Sequence, residues 1–330
     1  MAETGIVMTT IFFILVSVDI VGNSLVCAII WKNRNLRTPS HILLFNLAVA
    51  DGLFALSIVP KLIVDLNSKH PEGTGGSVLC LLITGGAFAW VAALCAIYTL
   101  VAIAVERYYA VTDPYGKKRN FTRRKLKVMI AAFWIFAVIA SIPNSMYMKV
   151  NNGYCYETFP KEWTIKANCV WYTTQVYVAL FLMVMLYSRV VRTLWFESNI
   201  VASPVTSQRR GVMRVRKRVT LMAVVVSIIF GICWGATNIL YILHTFKVFR
   251  FNKVVIAIGN ILVLFNSTIN PFVYALLSEN FRQKLKEMVR FPRATVGATT
   301  ELHNIEVHIA RDKSNIPDVS INTTTCVSQE

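Results

Sequence analysis

Seven stretches of this chain are almost free of charge: about residues 6–31, 42–60, 81–105, 128–148, 167–188, 219–246 and 254–278. Nearly all are near or above the ~20 residues that a helix needs to cross a ~30 Å hydrocarbon core. Asp19 and Asp51 are the two carboxylates within them. Lipid offers no partner for backbone N–H and C=O groups, so each run must close its own hydrogen bonds as a helix. The fold class that follows is an all-α membrane protein, a bundle of seven transmembrane helices. Composition agrees. Charged residues make up 15% of the chain and hydrophobic residues 55%, against ~25% charged in soluble domains.

The first run is expected to stay in place as a helix. A cleaved leader would be shorter and would open on basic residues, whereas here Lys32 and Arg34 follow the run. Basic residues then set the orientation. The segments 32–41, 106–127, 189–218 and everything after 278 hold 3, 8, 8 and 7 Lys and Arg, which is 26 of the 34. By the positive-inside rule these segments face the cytoplasm, leaving a short N-terminus outside the plasma membrane and a long tail inside. The net charge of +17 is thus a topology signal with attraction to anionic lipid, and does not point to nucleic acid.

Cys27, Cys95 and Cys233 fall within the apolar runs and Cys326 in the reducing cytosol. Cys80, Cys155 and Cys169 fall at or near the oxidising outer face, where one disulfide is expected. The N-x-S/T triplets at Asn120, Asn266 and Asn322 lie in the membrane or the cytoplasm by this topology, so none should be glycosylated. Beyond residue 291 the chain is polar and rich in Ser and Thr, reading as disordered and open to phosphorylation. No nucleophile–base set, metal-ligand spacing or phosphate loop stands out, so no enzyme is expected. His41, His70, His303 and His308 read as solvated loop or tail residues.

Polar groups inside a membrane are costly and face inward. Asn23, Asp51, Asn266, Ser267 and Asn270 are such groups. One reading is interhelical hydrogen bonding; the other is a hydrated core that binds a cation and rearranges. Pro271 removes a backbone hydrogen bond in mid-helix and makes a hinge, with Tyr274 one turn below. A channel or transporter is the alternative class, but such proteins usually show repeated halves, and none is visible.

These features come in a recognisable order. "GNSLV", "NLAVAD", "ERY", Trp134, Tyr187, "FGICW" and "NPFVY" sit in successive apolar runs, followed by "ENFRQKL". Over roughly residues 10–290 the chain resembles the class A, rhodopsin-like G-protein-coupled receptors. The resemblance implies residues 1–5 outside, 6–278 as the seven-helix domain, 279–291 as an amphipathic eighth helix and 292–330 as a tail for receptor kinases and arrestin. It makes Glu106, Arg107, Tyr108, Tyr187, Phe230, Trp234, Asn270, Pro271 and Tyr274 the activation switch. Arg107, Pro114 and Tyr115 then contact a heterotrimeric G protein. Asp51, Asn23, Asn266, Ser267 and Asn270 become a sodium-binding polar core. Cys80 is expected to pair with Cys155 of the second outer loop, because Cys169 counts into the fifth helix.

The departures matter as much. Ala236 and Ala179 stand where the family has prolines, which softens two kinks. Arg216 stands where many relatives have an acid that restrains the third-helix arginine, so raised basal activity is expected. Ala96 replaces a serine near the sodium position, weakening that site. Cys80 lies two residues farther from Arg107 than usual, an excess that Gly85 and Gly86 can take up as a bulge.

Ala89 in place of an aspartate argues against amine ligands, and Leu264 in place of a lysine argues against retinal. The second outer loop, "GYCYETFPKEW", resembles the hairpin lid of neuropeptide receptors, and Tyr154, Tyr156 and Thr158 alternate as in a strand. A peptide ligand is therefore expected, with a lipid or other small molecule as the alternative. The short outer N-terminus argues against a large glycoprotein hormone. By family position the pocket comprises Lys61, Asp65, Trp90, Tyr172, Gln175, Asn238, Tyr241, His244 and Asn260. Lys61 would meet an anionic ligand group, aided by Lys247, Arg250 and Lys253, or else pair with Asp65 one turn away.

Overall fold

A computed structural model describes residues 2–33, 38–67, 70–71, 73–113, 121–196, 207–248 and 253–290. Pro114, Tyr115 and the tail from residue 291 on lie outside the described residues, as do the side chains of Lys61 and Asp65. Residues Met1–Arg282 form one compact unit and Gln283–Glu330 a second, described only over 283–290.

The helices are α1 Ala2–Lys32, α2 Pro39–Asn67, α3 Gly73–Leu79, α4 Ala87–Thr112, α5 Arg123–Ser145, α6 Glu162–Val191, α7 Ser207–Thr245, α8 Lys253–Leu277 and α9 Glu279–Arg290. Seven helical spans are long and apolar enough to cross a membrane, α3 and α4 counting together as one. The chain is a seven-helix bundle, with the short α9 following the seventh span. α4 lies at its centre, packed against α2, α5, α6 and α7. Within its apolar stretch 67% of residues are buried, against 22% for α5. Ala, Ile, Leu and Cys dominate the buried positions of α4, and these small or aliphatic side chains let four neighbours approach.

Two local devices shape the lid end of the bundle. Cys80–Thr84 forms a π-helical turn closed by Gly85 N–H donating to Cys80 O at 2.7 Å. Gly86 then takes φ +78° and α4 restarts at Ala87. A left-handed residue at that point is least costly as glycine, and the π turn and Gly86 together form the break before α4. The second device is a hairpin. β1 Met148–Asn151 and β2 Tyr154–Glu157 pair antiparallel, with Met148 opposite Glu157 and Asn151 opposite Tyr154. Asn152 and Gly153 form the turn with φ of 52° and 74°, the positive values that a two-residue Asn-Gly hairpin turn requires.

The hairpin is fastened to the bundle by the Cys80–Cys155 disulfide, with α-carbons 5.6 Å apart. His70 adds a second tie. It is 3% exposed, its N–H donates to Gly153 O at 2.8 Å and its Nε2 lies 2.6 Å from Thr84 Oγ1. His70 is therefore not the solvated loop residue that its polar surroundings imply; it is clamped between the π turn and the hairpin. Cys169 is a buried free thiol in α6.

On the far side of the bundle, α1 closes on α8. A β-carbon at Gly22 would lie 2.9 Å from Pro271 Cγ, so the glycine of "GN" allows the two helices to touch at the hinge.

Candidate functional site

The polar residues of α1, α2 and α8 converge at mid-bundle. Asp51 is 2% exposed, and Asn270 Nδ2 donates to its Oδ2 at 2.8 Å. Beside it lies a cavity of about 10 Å³ whose lining includes Asp51, Ala96, Phe230, Trp234, Asn266 and Ser267. That is about the room one water needs. The side-chain oxygens of Asn23, Asn266 and Asn270 are buried and have no hydrogen-bond partner among the described residues. Of the polar groups, Asp51, Ser267 and Asn266 line the cavity; a carboxylate, a hydroxyl and an amide oxygen are a hard donor set, which fits a small hard cation. Ala96 contributes only a methyl group to this wall.

Asp19 joins the same polar core from α1. It is fully buried, accepting from Asn23 Nδ2 at 3.0 Å and lying 3.4 Å from Thr268 Oγ1. The sequence marks Asp19 as a charge inside an apolar run but does not tell which face of α1 it occupies. Its two partners, Asn23 and Thr268, place it inward.

At one end of α4, Arg107 is 7% exposed and Glu106 fully buried. Arg107 Nε donates to Glu106 Oε2 at 2.6 Å, and Nη2 also meets that oxygen. Ser40, at the start of α2, completes the cluster. Its Oγ donates to Glu106 Oε2 at 2.9 Å and accepts from Arg107 Nη2. Sequence reading missed Ser40: it lies 67 positions from Arg107 and belongs to no motif. Tyr108 packs against the buried Val111, Val190 and Leu194. The hydroxyls of Tyr187 and Tyr274 are buried without a partner among the described residues. Arg216 makes no described bridge to α4. Its neighbour Arg218 instead pairs with Glu279 at the start of α9, and that guanidinium holds the Glu279 carboxyl below its usual value.

Toward the hairpin an aromatic series crosses the bundle. Trp90 meets Tyr172 edge-on at 4.6 Å and Trp234 at 6.4 Å, and Trp234 lies 6.0 Å from Phe230. Gln175 accepts from Tyr98 Oη at 2.7 Å. Tyr241 Oη receives Asn168 Nδ2 at 3.3 Å. Asn238 is buried and donates to Trp234 O in its own helix. His244 and Asn260 are exposed. Lys247, expected to add positive charge for an anionic ligand, instead pairs with Glu162 at 3.0 Å. Asn168 was missed, although its place one turn before Tyr172 on the inward face of α6 marks it.

The same order of elements is found among known proteins. Residues 22–274 match the family described as 7 transmembrane receptor (rhodopsin family). The chain belongs to that family. Similar proteins include the QRFP-like peptide receptor of Branchiostoma floridae, 27% identical over 86% of this chain and 77% of the relative. The pyroglutamylated RF-amide peptide receptor of Mus musculus is 27% identical over 81% and 66%. Neuropeptide FF receptor 1 of Homo sapiens is 28% identical over 82% and 67%. The chain thus spans about two thirds to three quarters of the length of these relatives. It is a multi-pass membrane receptor, a member of a family of receptors and not of enzymes.

In this receptor two groups of residues bracket α4. The Arg107 cluster holds one end of α4, while the disulfide and Trp90 hold the other. α7 runs helical from Ser207 to Thr245 through Ala236, and Ala179 is buried within α6, so neither position interrupts its helix.

Proposed function

We propose that the receptor binds a peptide at the hairpin end of the bundle, outside the cell, and activates heterotrimeric G proteins at the Arg107 end. The observation that carries this reading is α4. One rigid helix joins a disulfide-tethered lid to a buried arginine that is held by two neighbours and would have to be released. Relatives named for peptide ligands and the two-stranded lid support a peptide, and the excess of Lys and Arg supports a cytoplasmic Arg107 end.

At rest Glu106 and Ser40 hold Arg107. Ligand binding displaces Trp234 and Phe230, α7 moves at its foot, and Asn270, Pro271, Tyr274 and Tyr187 repack around the freed arginine. Pro114 and Tyr115 then dock the G protein beside Arg107. Screening peptides for guanine-nucleotide exchange in membranes that hold the receptor and purified G proteins tests the reading. Ion currents without exchange would refute it.

Two further outcomes are expected. Ser40→Ala removes one donor to Glu106 and one acceptor for Arg107. Hydrogen bonds to charged groups contribute about 1.5–3 kcal/mol net, but the Glu106–Arg107 pair itself survives the change, so basal exchange should rise severalfold. An unchanged basal rate at equal receptor number would remove Ser40 from the resting lock.

The second concerns sodium. The polar core would hold Na⁺ between Asp51, Ser267 and Asn266, favouring the resting packing. Replacing Na⁺ by choline should raise basal exchange in the wild type and leave Asp51→Asn indifferent. Equal sodium dependence in both would place the ion elsewhere. The methyl of Ala96 predicts a midpoint at high sodium.

A further inference from the structure

The hairpin is tied to Trp234 by a route that none of the family motifs contains. Asn144, near the end of α5, is 4% exposed and lies between Glu157 of β2 and Trp90 of α4. An amide oxygen turned toward Glu157 would set two acceptors face to face. With the amide turned the other way, its nitrogen donates to Glu157 Oε1 at 3.3 Å and its oxygen accepts from Trp90 Nε1 at 3.3 Å. This orientation gives up the 3.4 Å bond that Asn144 Oδ1 accepts from Asn168 Nδ2 in the other and gains two, so hydrogen-bond bookkeeping selects it.

We infer that Glu157, Asn144 and Trp90 form a latch through which the lid sets the position of Trp234. This rests on the signalling reading above. Three observations carry it. Glu157 sits two residues from Cys155, so the latch acid is fixed to the disulfide-bonded strand. Trp90 lies in the first turn of α4, its backbone N–H donating to Gly86 O at 2.9 Å, directly after the π turn that holds Cys80. Its indole lies against both Tyr172 and Trp234.

The departure at Ala236 supplies the reason for such a device. Without a proline kink, α7 lacks a built-in bend above Trp234. A wedge from α4 presses on the same side chain from the flank. The latch has two states. In one, the indole N–H is satisfied by Asn144 and the ring is held on Trp234. In the other, the bond is broken and the ring is free to turn. A buried N–H without an acceptor is unfavourable, so the latched state predominates until something competes for the chain of bonds. A ligand donor group that engages Glu157 draws it from Asn144 and loosens Trp90. Trp90 is thus a positioning residue that acts through Trp234.

The test uses the full chain without any ligand. Asn144→Leu breaks both bonds; Trp90→Phe keeps an aromatic ring but removes the N–H. Each should raise basal nucleotide exchange three- to tenfold at matched surface expression. The double variant should exceed neither single, because both cut one chain. Where the wild type shows basal exchange, rates equal to it in both variants, or effects that multiply, would overturn the latch. A second readout does not depend on the G protein. With 5-fluorotryptophan incorporated, the Trp234 fluorine resonance (assigned by Trp234→Phe) should shift in Asn144→Leu and in Trp90→Phe alike. An unmoved resonance overturns the latch by itself. A shifted resonance with no exchange from any G protein would sustain the latch and refute the signalling reading instead.

Discussion

Arg107→Ala is expected to reduce G-protein activation to background while surface expression and ligand binding persist. The side chain stands a full membrane span from the lid, at the opposite end of α4 from Gly86, so its loss deletes no ligand contact directly. At rest it is committed to Glu106 and Ser40. Agonist affinity should fall somewhat, since G-protein and ligand binding are reciprocally linked. Glu106→Gln should act oppositely. It removes the charge that Arg107 Nε and Nη2 share, leaving Ser40 as a neutral partner, and basal exchange should rise. Arg216, in place of an acid, offers no second restraint, so the resting lock starts weak and the rise is modest. Exchange would be measured in membranes matched for receptor number. Agonist-driven exchange at the wild-type rate in Arg107→Ala would remove this residue from the switch.

Loss of the Cys80–Cys155 bridge should be nearly as severe. The bond closes a segment of 75 residues, for which chain entropy alone predicts about 4–5 kcal/mol. Membrane insertion already restrains that segment, so this is an upper bound. More than entropy is lost, because the bridge holds the π turn, the His70 clamp and the strand that carries Glu157. Cys80→Ser and Cys155→Ser should each cut surface receptor by more than half and lower the melting temperature of the detergent-solubilised protein. The double variant should match the singles, since either change removes the same bond. Additive losses, or wild-type melting in one single variant, would show that the bridge is not the element responsible.

Much of this architecture is legible in one dimension. Charge-free runs of membrane length force helices, because lipid leaves the backbone no other partner. The family motifs name Arg107, Asp51, Trp234 and Pro271, and all four lie buried within the bundle. The Gly85–Gly86 pair predicts a break before α4. Asn152–Gly153 would have located the hairpin turn had it been read as a turn signal, since two consecutive positive φ values are a local demand of the backbone.

Contacts across the bundle are not legible in this way. Ser40 is one hydroxyl among many in the chain, and only the packing of α2 on α4 brings it to Arg107. His70 looks solvated by its neighbours in sequence, yet the hairpin folds over it. Asn144 joins Glu157 to Trp90 because three separate elements meet at one amide. The sequence by itself determined the elements, since helix, turn and span follow from local periodicity and from what lipid forbids. Only the tertiary structure decided the partners, because a hydrogen bond between residues on separate elements depends on where those elements meet, which no local pattern records.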